Sequence, residues 1–276
     1  MSQPTLVEAI GQTFIIAYQE FTDPLEQCLN QEGLSCRVLR QVHLPQYKNY
    51  ASAYRCFLNH FEAWKLAAQG TKPTLIVEAD FVPVLGMGNL PSPLDPERSD
   101  AGLAWLYTCA PQIYSVSAKG YAVGFSTAAV AYMVTPAAAE GLLDFAQHVI
   151  THADPTQYIT WDSEVEGFLR RQGFQCYVPF RNYGEHGGKP NPEHKRAGLG
   201  THRADILFGS LAFCPFYAKD EPTPPIALWK TRLGGRIKGV VRLVLGRYLR
   251  WKILFTSSTP FRILSFAVGR QLTLRL

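Results

Sequence analysis

The first eighty residues alternate short apolar runs with amphipathic stretches, the pattern of an α/β sheet. Thr13-Phe14-Ile15-Ile16-Ala17-Tyr18 is apolar and partly β-branched, as a buried strand requires. A helical pattern runs from Asp23 to Gln31, with Asp23-Pro24 as its start signal and Gly33 as its stop. Cys36-Arg37-Val38-Leu39-Arg40 reads as a second strand, which completes a β-α-β opening. Over residues 51–69, Tyr54, Phe57, Leu58, Phe61, Trp64 and Ala68 recur at helical spacing, and Gly70 closes the helix. Thr74-Leu75-Ile76-Val77 is a near-continuous apolar run of the kind found in central parallel strands, and it stops at Glu78-Ala79-Asp80.

Beyond that point the pattern is looser. Residues 86–100 are rich in Pro and Gly and predict a loop; no helical pattern follows Gly86-x-Gly88, so it is not a dinucleotide fingerprint. Residues 102–109 and 128–134 are strand candidates. Thr135 as N-cap and Pro136 at the first helical position start a helix that reaches about His148. Residues 162–172 predict a short helix and 174–178 a late strand. Residues 181–205 are polar, rich in Gly, Pro and His, and predict a long loop, which in a compact domain is functional or disordered.

Composition narrows the class. With 276 residues, 47% hydrophobic and 18% charged, the chain suits one large domain, or one domain with an appendage, around a sizeable core; long-range disorder is excluded. No run of 18 uncharged apolar residues exists, so no spanning helix is expected, and the first residues carry no secretory pattern. The six cysteines form no C-x-x-C pair and no zinc spacing, and they read as reduced, mostly buried thiols of a cytoplasmic protein.

Charge divides the chain. Residues 222–276 hold eleven of the 27 Lys and Arg and none of the 22 Asp and Glu, so residues 1–221 form a mildly acidic body and 222–276 a strongly basic tail. At about 100° per residue, Trp229, Leu233, Ile237, Val240, Val244, Tyr248, Trp251 and Phe255 fall on one stripe, with most basic residues elsewhere. This describes a helix over residues 229–255 lying on an anionic membrane surface, or else one docked on the protein's own body. The aromatic-basic sheet motifs of RNA modules are missing, so no nucleic-acid partner is expected.

Candidate chemistry gathers at the end of the central strand. Ligands of open α/β sheets bind outside the carboxyl ends of strands. Glu78 and Asp80, two residues apart, point to the same side if strand geometry persists, and such a pair suits Mn²⁺ or Mg²⁺ facing a diphosphate; the alternative is a simple turn cap. A second cluster lies in the 181–205 loop, where His186, Lys189, His194, Lys195, Arg196, His202 and Arg203 could close over a diphosphate or lend a histidine ligand. His186 is singled out because Gly187-Gly188 permits close backbone approach.

The segment Cys56-Phe57-Leu58-Asn59-His60-Phe61-Glu62-Ala63-Trp64, then Leu75-Ile76-Val77-Glu78-Ala79-Asp80-Phe81-Val82-Pro83, resembles the signature of glycosyltransferase family 25, the lipooligosaccharide sugar transferases. Residues 131–143 resemble that family's A-Y-L-I-S-x-x-G-A-x-x-L-L segment, and Trp161-Asp162 falls where the family has an Asp opening a helix. Asn59 stands where the family has Ser, Ala79 where it has the middle acid of E-D-D, and Tyr18-Gln19-Glu20-Phe21 where it has N-L-x-R. The resemblance implies a GT-A-like nucleotide-diphospho-sugar transferase fold, a mixed, mostly parallel sheet flanked by helices, here followed by a basic amphipathic helical tail. It further implies an inverting transfer of a galactose-like hexose to a lipid-linked saccharide in envelope lipopolysaccharide synthesis, at the cytoplasmic face of the membrane.

Under that resemblance Asp80 and Glu78 hold Mn²⁺ or Mg²⁺, and Glu78, Asp80 and His60 contact the nucleotide sugar; His186 and Lys189 join that contact set on the chemistry of their loop. Asp162 is the candidate catalytic base, with Glu164 as its substitute; an ordinary helix cap is the other reading of Asp162. His60 has a structural alternative, as a hydrogen-bonded core residue. The rival function is a catalytically silent relative acting as a membrane-associated scaffold or carbohydrate-binding module.

Overall fold

A computed structural model describes residues 3–42, 44–189 and 202–272. After a one-turn helix, α1 (Leu6–Ala9), the opening folds as its periodicity dictates: β1 (Gln12–Ala17), α2 (Asp23–Gln31), β2 (Cys36–Arg40), α3 (Ser52–Ala68) and β3 (Thr74–Glu78). Then come β4 (Phe81–Pro83), β5 (Ala101–Trp105), β6 (Gln112–Val116), β7 (Ala122–Phe125), β8 (Ala131–Val134), α4 (Pro136–His152), α5 (Val165–Arg171), β9 (Gln175–Val178) and β10 (Gly184–His186). The tail supplies α6 (Phe216–Lys219), α7 (Pro224–Val244), α8 (Trp251–Thr256) and α9 (Pro260–Gln271).

Eight strands form one mixed sheet in the order β2-β1-β3-β8-β5-β9-β7-β6. β1, β2 and β3 pair in parallel, as do β5 and β9, while β8 and β7 run against their neighbours. Six strands therefore point one way and two the other, an α/β fold built on a mostly parallel sheet. Successive side chains of a strand face opposite sides, and the core divides accordingly. Phe14, Ile16 and Ile76 pack with α3, α4 and α5 on one face, whereas Ile15, Ala17, Leu75 and Val77 pack with α2 and Phe81 on the other. Thr135 caps α4 as its sequence predicts, its hydroxyl accepting from Ala138 N.

Two expectations need correction, and one segment without an expectation turns out regular. The 181–205 segment is not loop throughout: β10 pairs antiparallel with β4, Gly184 opposite Pro83 and His186 opposite Phe81. Residues 112–125, unassigned from periodicity, form the β6–β7 edge hairpin, whose turn uses Gly120 at φ +86°. The expected single helix over 229–255 is broken, because α7 ends at Val244 and Gly246 sits in the left-handed region at φ +67°, which only glycine adopts freely. The turn drives Tyr248 and Leu249 into the interior, so Tyr248 does not belong to the exposed stripe.

The basic segment also shares the body's core. Tyr248, Leu254, Ile263 and Phe266 belong to the same apolar cluster as Trp64 and Trp161. Arg232 pairs with buried Glu185 at 2.7 Å, and fully buried Arg270 holds Asp205 at 2.6 Å and the carbonyls of Pro179 and Phe180. No helix among the described residues is long and apolar enough to cross a membrane.

A carboxylate-histidine site at the strand ends

The site begins where β1, β2 and β3 end together. Asn59 on α3 donates to the carbonyls of Ala17 and Leu39, 3.0 Å each, and so ties the ends of β1 and β2. An amide has two such protons where a serine hydroxyl has one.

Glu78, the last residue of β3, is held from behind. Its Oε1 lies 3.4 Å from His60 Nε2 and 3.7 Å from Cys56 Sγ. Trp64 Nε1 donates to Tyr132 Oη at 2.8 Å, and Tyr132 Oη lies 2.9 Å from His60 Nδ1. Indole is a donor only and a carboxylate an acceptor only, so the ring proton that serves Glu78 sits on Nε2, and the tyrosine hydroxyl, accepting from Trp64, has its own proton to give to His60 Nδ1. His60 is fully buried and both its nitrogens are engaged, so it positions Glu78 rather than facing a ligand. Trp64 is core.

Asp80 follows in the turn between β3 and β4. Ala79 between them is buried in the core cluster beside Ile15 and Val77, so the middle position of Glu-x-Asp faces away from the site. A carboxylate there would be no ligand. The register that sets His186 opposite Phe81 also brings its ring to Asp80, with Nε2 3.0 Å from Oδ2. Gly187 N donates to Asp80 O at 2.8 Å. A Cβ on Gly188 would stand 2.1 Å from Asp80 Oδ2, which explains why the chain beside His186 is bare of side chains. Arg203 secures this approach by donating to the carbonyls of His186 and Gly188 at 2.6 and 2.8 Å, its guanidinium lying over the Tyr217 ring.

Electrostatics bind the two halves of the pair. Burial opposes a charged imidazole, but the Asp80 carboxylate beside it pushes His186 up to about 9. Burial likewise opposes the Asp80 charge, and the imidazolium with Arg203 behind it holds that carboxyl below its ordinary range. Asp162, in the single turn Trp161–Ser163 before α5, is pushed up to about 7 by burial and by the charge of Glu78, although it accepts a hydrogen bond from Ser163 N at 2.9 Å. Asp162 thus shares an electrostatic neighbourhood with Glu78.

The remaining candidates lie apart. Glu164 is exposed at the N-cap of α5, where its side chain makes no capping bond. Lys189 is exposed and pairs with Asp220 at the surface. His194, Lys195 and Arg196 lie outside the described residues.

Glu78, Asp80 and His186 each offer a ligand atom, and the three lie within 4.8 Å of one another. Two carboxylates and an imidazole suit Mn²⁺ better than a soft metal. Asp80 Oδ1 is buried with no hydrogen-bond partner among the described residues, an orphan acceptor that a cation would satisfy. A second group, Cys56, His60 and Glu78, is also compact, but its imidazole is already spent. Sequence reading missed Tyr132 and Cys56 as supports of Glu78, and nothing local marks a tyrosine on a distant strand. It also missed the Glu185–Arg232 pair directly beneath His186.

No family model matches the chain, and no curated protein matches it. Two similar solved structures are glycosyltransferases. One, involved in glycosylation of the major capsid of PBCV-1, is 12% identical, with a TM-score of 0.41, over 61% of this chain and 82% of the other. The second is a mutant Drosophila β1,4-galactosyltransferase 7 in complex with manganese, UDP-Gal and xylobiose; it is 13% identical, with a TM-score of 0.32, over 67% and 74% of the two chains. Similarity that low transfers no residue role.

Proposed function

We propose that the chain is a divalent-cation-dependent glycosyltransferase, moving a galactose-like hexose from a nucleoside-diphosphate sugar to a hydroxyl of a saccharide. One observation carries this reading: Asp80 presents an unpartnered buried oxygen within a Glu78–Asp80–His186 donor set, at the strand ends where α/β sheets take ligands. The motif residues that resemble family 25 gather at this same place, Glu78 and Asp80 within the donor set, and Cys56, His60 and Trp64 in or behind the support of Glu78.

Glu78, Asp80 and His186 would hold Mn²⁺ or Mg²⁺, which when bound offsets the charge that develops on a departing diphosphate. The chain's own groups do the rest. Trp64, Tyr132 and His60 fix Glu78, and Arg203 fixes the backbone that carries His186. Asp162 takes the proton of the acceptor hydroxyl as its oxygen bonds to the anomeric carbon. The bond from that carbon to the diphosphate breaks on the opposite face, so configuration inverts. A carboxyl raised above the ordinary aspartate range accepts that proton more readily than an ordinary aspartate does. The lipid-linked envelope saccharide implied by the family resemblance is the acceptor this reading favours.

The test is thermal denaturation with Mn²⁺ alone and with Mn²⁺ plus a panel of nucleotide sugars, in the wild type and in Asp80→Asn. A ligand at a hundred times its Kd adds about 2.7 kcal/mol, which a melting curve resolves. Stabilisation by Mn²⁺ and one donor, lost in Asp80→Asn, is the expected result. If no donor stabilises the chain with any divalent ion, the silent scaffold replaces the enzyme.

A further inference from the structure

Helix α7 is amphipathic in an unusual sense, because its docked face is not its apolar face. Arg232, Gly235 and Gly239 are the buried residues of α7, and the two glycines let the helix press against residues 204–205; a Cβ on Gly235 would stand 2.5 Å from the Ala204 carbonyl. At 100° per residue, Ile226, Trp229, Leu233, Ile237, Val240 and Val244 fall within an arc of about 80°, centred about 130° from that docked face. The stripe therefore points outward. Trp229 is 53% exposed and Val244 70%. Beyond the break, Phe255 on α8 is 80% exposed and Phe261 on α9 84%, and α9 packs against both α7 and α8. Of the 17 large hydrophobic residues exposed among the described residues, twelve lie between Ile226 and Leu272. Single exposed leucines need no explanation, but such a concentration does.

Charge identifies the occupant. Lys230, Lys238, Arg247, Arg250, Lys252 and Arg262 are all exposed on the same three helices or the turn between them, and residues 222–276 contain no acid to offset them. A second copy of this surface would set cations against cations, which disfavours a symmetric dimer. A surface that attracts cations and also dissolves tryptophan and phenylalanine side chains is an anionic bilayer, whose headgroups take the Lys and Arg and whose acyl boundary takes the apolar stripe.

We infer that α7, α8 and α9 form a peripheral docking surface for an anionic lipid bilayer, the outward stripe of α7 and the aromatic residues of α8 and α9 entering its interface. The surface stands on exposure and charge alone and does not depend on the transferase reading, although a lipid-linked acceptor would give it a use.

Because Tyr248, Leu254 and Ile263 are core residues, the experiment uses the whole chain. The wild type and the triple variant Trp229→Ser/Val244→Ser/Phe255→Ser are floated with phosphatidylcholine vesicles and with vesicles containing about 30% phosphatidylglycerol, without metal or donor. Melting temperature serves as the control for folding. The expected result is wild-type binding to anionic vesicles only, weakened at about 0.5 M salt, with a blue shift of tryptophan emission. The triple variant should bind at least about tenfold more weakly with an unchanged melting temperature, since it alters only exposed side chains. Equal binding by both proteins, or no wild-type binding to anionic vesicles, overturns the inference. A dimer that the triple variant disperses, with no vesicle binding, overturns it in favour of a second copy.

Discussion

Asp162→Asn separates the cost of a buried base from its use. The substitution keeps the shape of the side chain and the acceptor for Ser163 N, but removes the charge. Folding moves this carboxyl from 3.8 to about 7, chiefly through burial and then through the charge of Glu78. At about 1.4 kcal/mol per pH unit this amounts to about 4 kcal/mol. The side chain is partly exposed, so solvent screening reduces the figure to about 2 kcal/mol. The sign follows from linkage. Between pH 3.8 and about 7 the folded state keeps a proton that the unfolded state has released, so this group's contribution falls as pH rises through that window and is at its worst above it. At pH 8, without metal, Asp162→Asn should therefore melt about 4–8 °C above the wild type. At pH 5 only part of that gain should remain, and it should vanish below pH 3.8. Transfer activity should be lost at both pH values. The reasoning fails if the variant is no more stable than the wild type at pH 8, or if its gain does not depend on pH.

Three further perturbations address the supports. Gly188→Ala places a methyl group against Asp80 Oδ2; Mn²⁺ should no longer raise the melting temperature, and pushing Asp80 off His186 should cost about 1–3 kcal/mol without metal. Tyr132→Phe strips Trp64 Nε1 and His60 Nδ1 of their shared partner. It should cost about 1–3 kcal/mol in urea unfolding and weaken Mn²⁺ binding about 10–100-fold by calorimetry. Arg232→Met leaves Glu185 buried and unpaired and should cost about 3–5 kcal/mol; adding Glu185→Gln should recover most of the loss, and a double variant no better than the single would refute the pairing.

The parts of this structure that sequence makes legible are the local ones. β1, α2, β2, α3 and β3 announce themselves because each periodicity is written in consecutive residues and punctuated by Pro24, Gly33 and Gly70. Glu78 and Asp80 were visible as a pair, and Gly187-Gly188 pointed to His186. The pairing that joins them is not visible, because β4 and β10 are three residues each, too short for a period, and their partnership spans more than a third of the chain. The support of Glu78 hides for the same reason, since Tyr132 reaches it from β8. In the tail, helical-wheel reasoning found the apolar stripe, but the docked face consists of two glycines and an arginine, residues that carry no hydrophobic signal. Gly235 and Gly239 lower the propensity of an isolated helix, yet in this fold they are the contact itself.

Strand β10 carries Glu185 and His186 side by side, the first reaching Arg232 and the second Asp80. Adjacent residues of a strand face opposite ways, so a slip of one position turns each to the wrong face. A slip in one direction sets the acid of Glu185 against Asp80, and a slip in the other sets the imidazole of His186 against Arg232. Either error is unfavourable, so three residues with almost no hydrophobic content encode their own alignment, as a keyed plug fits its socket in one orientation.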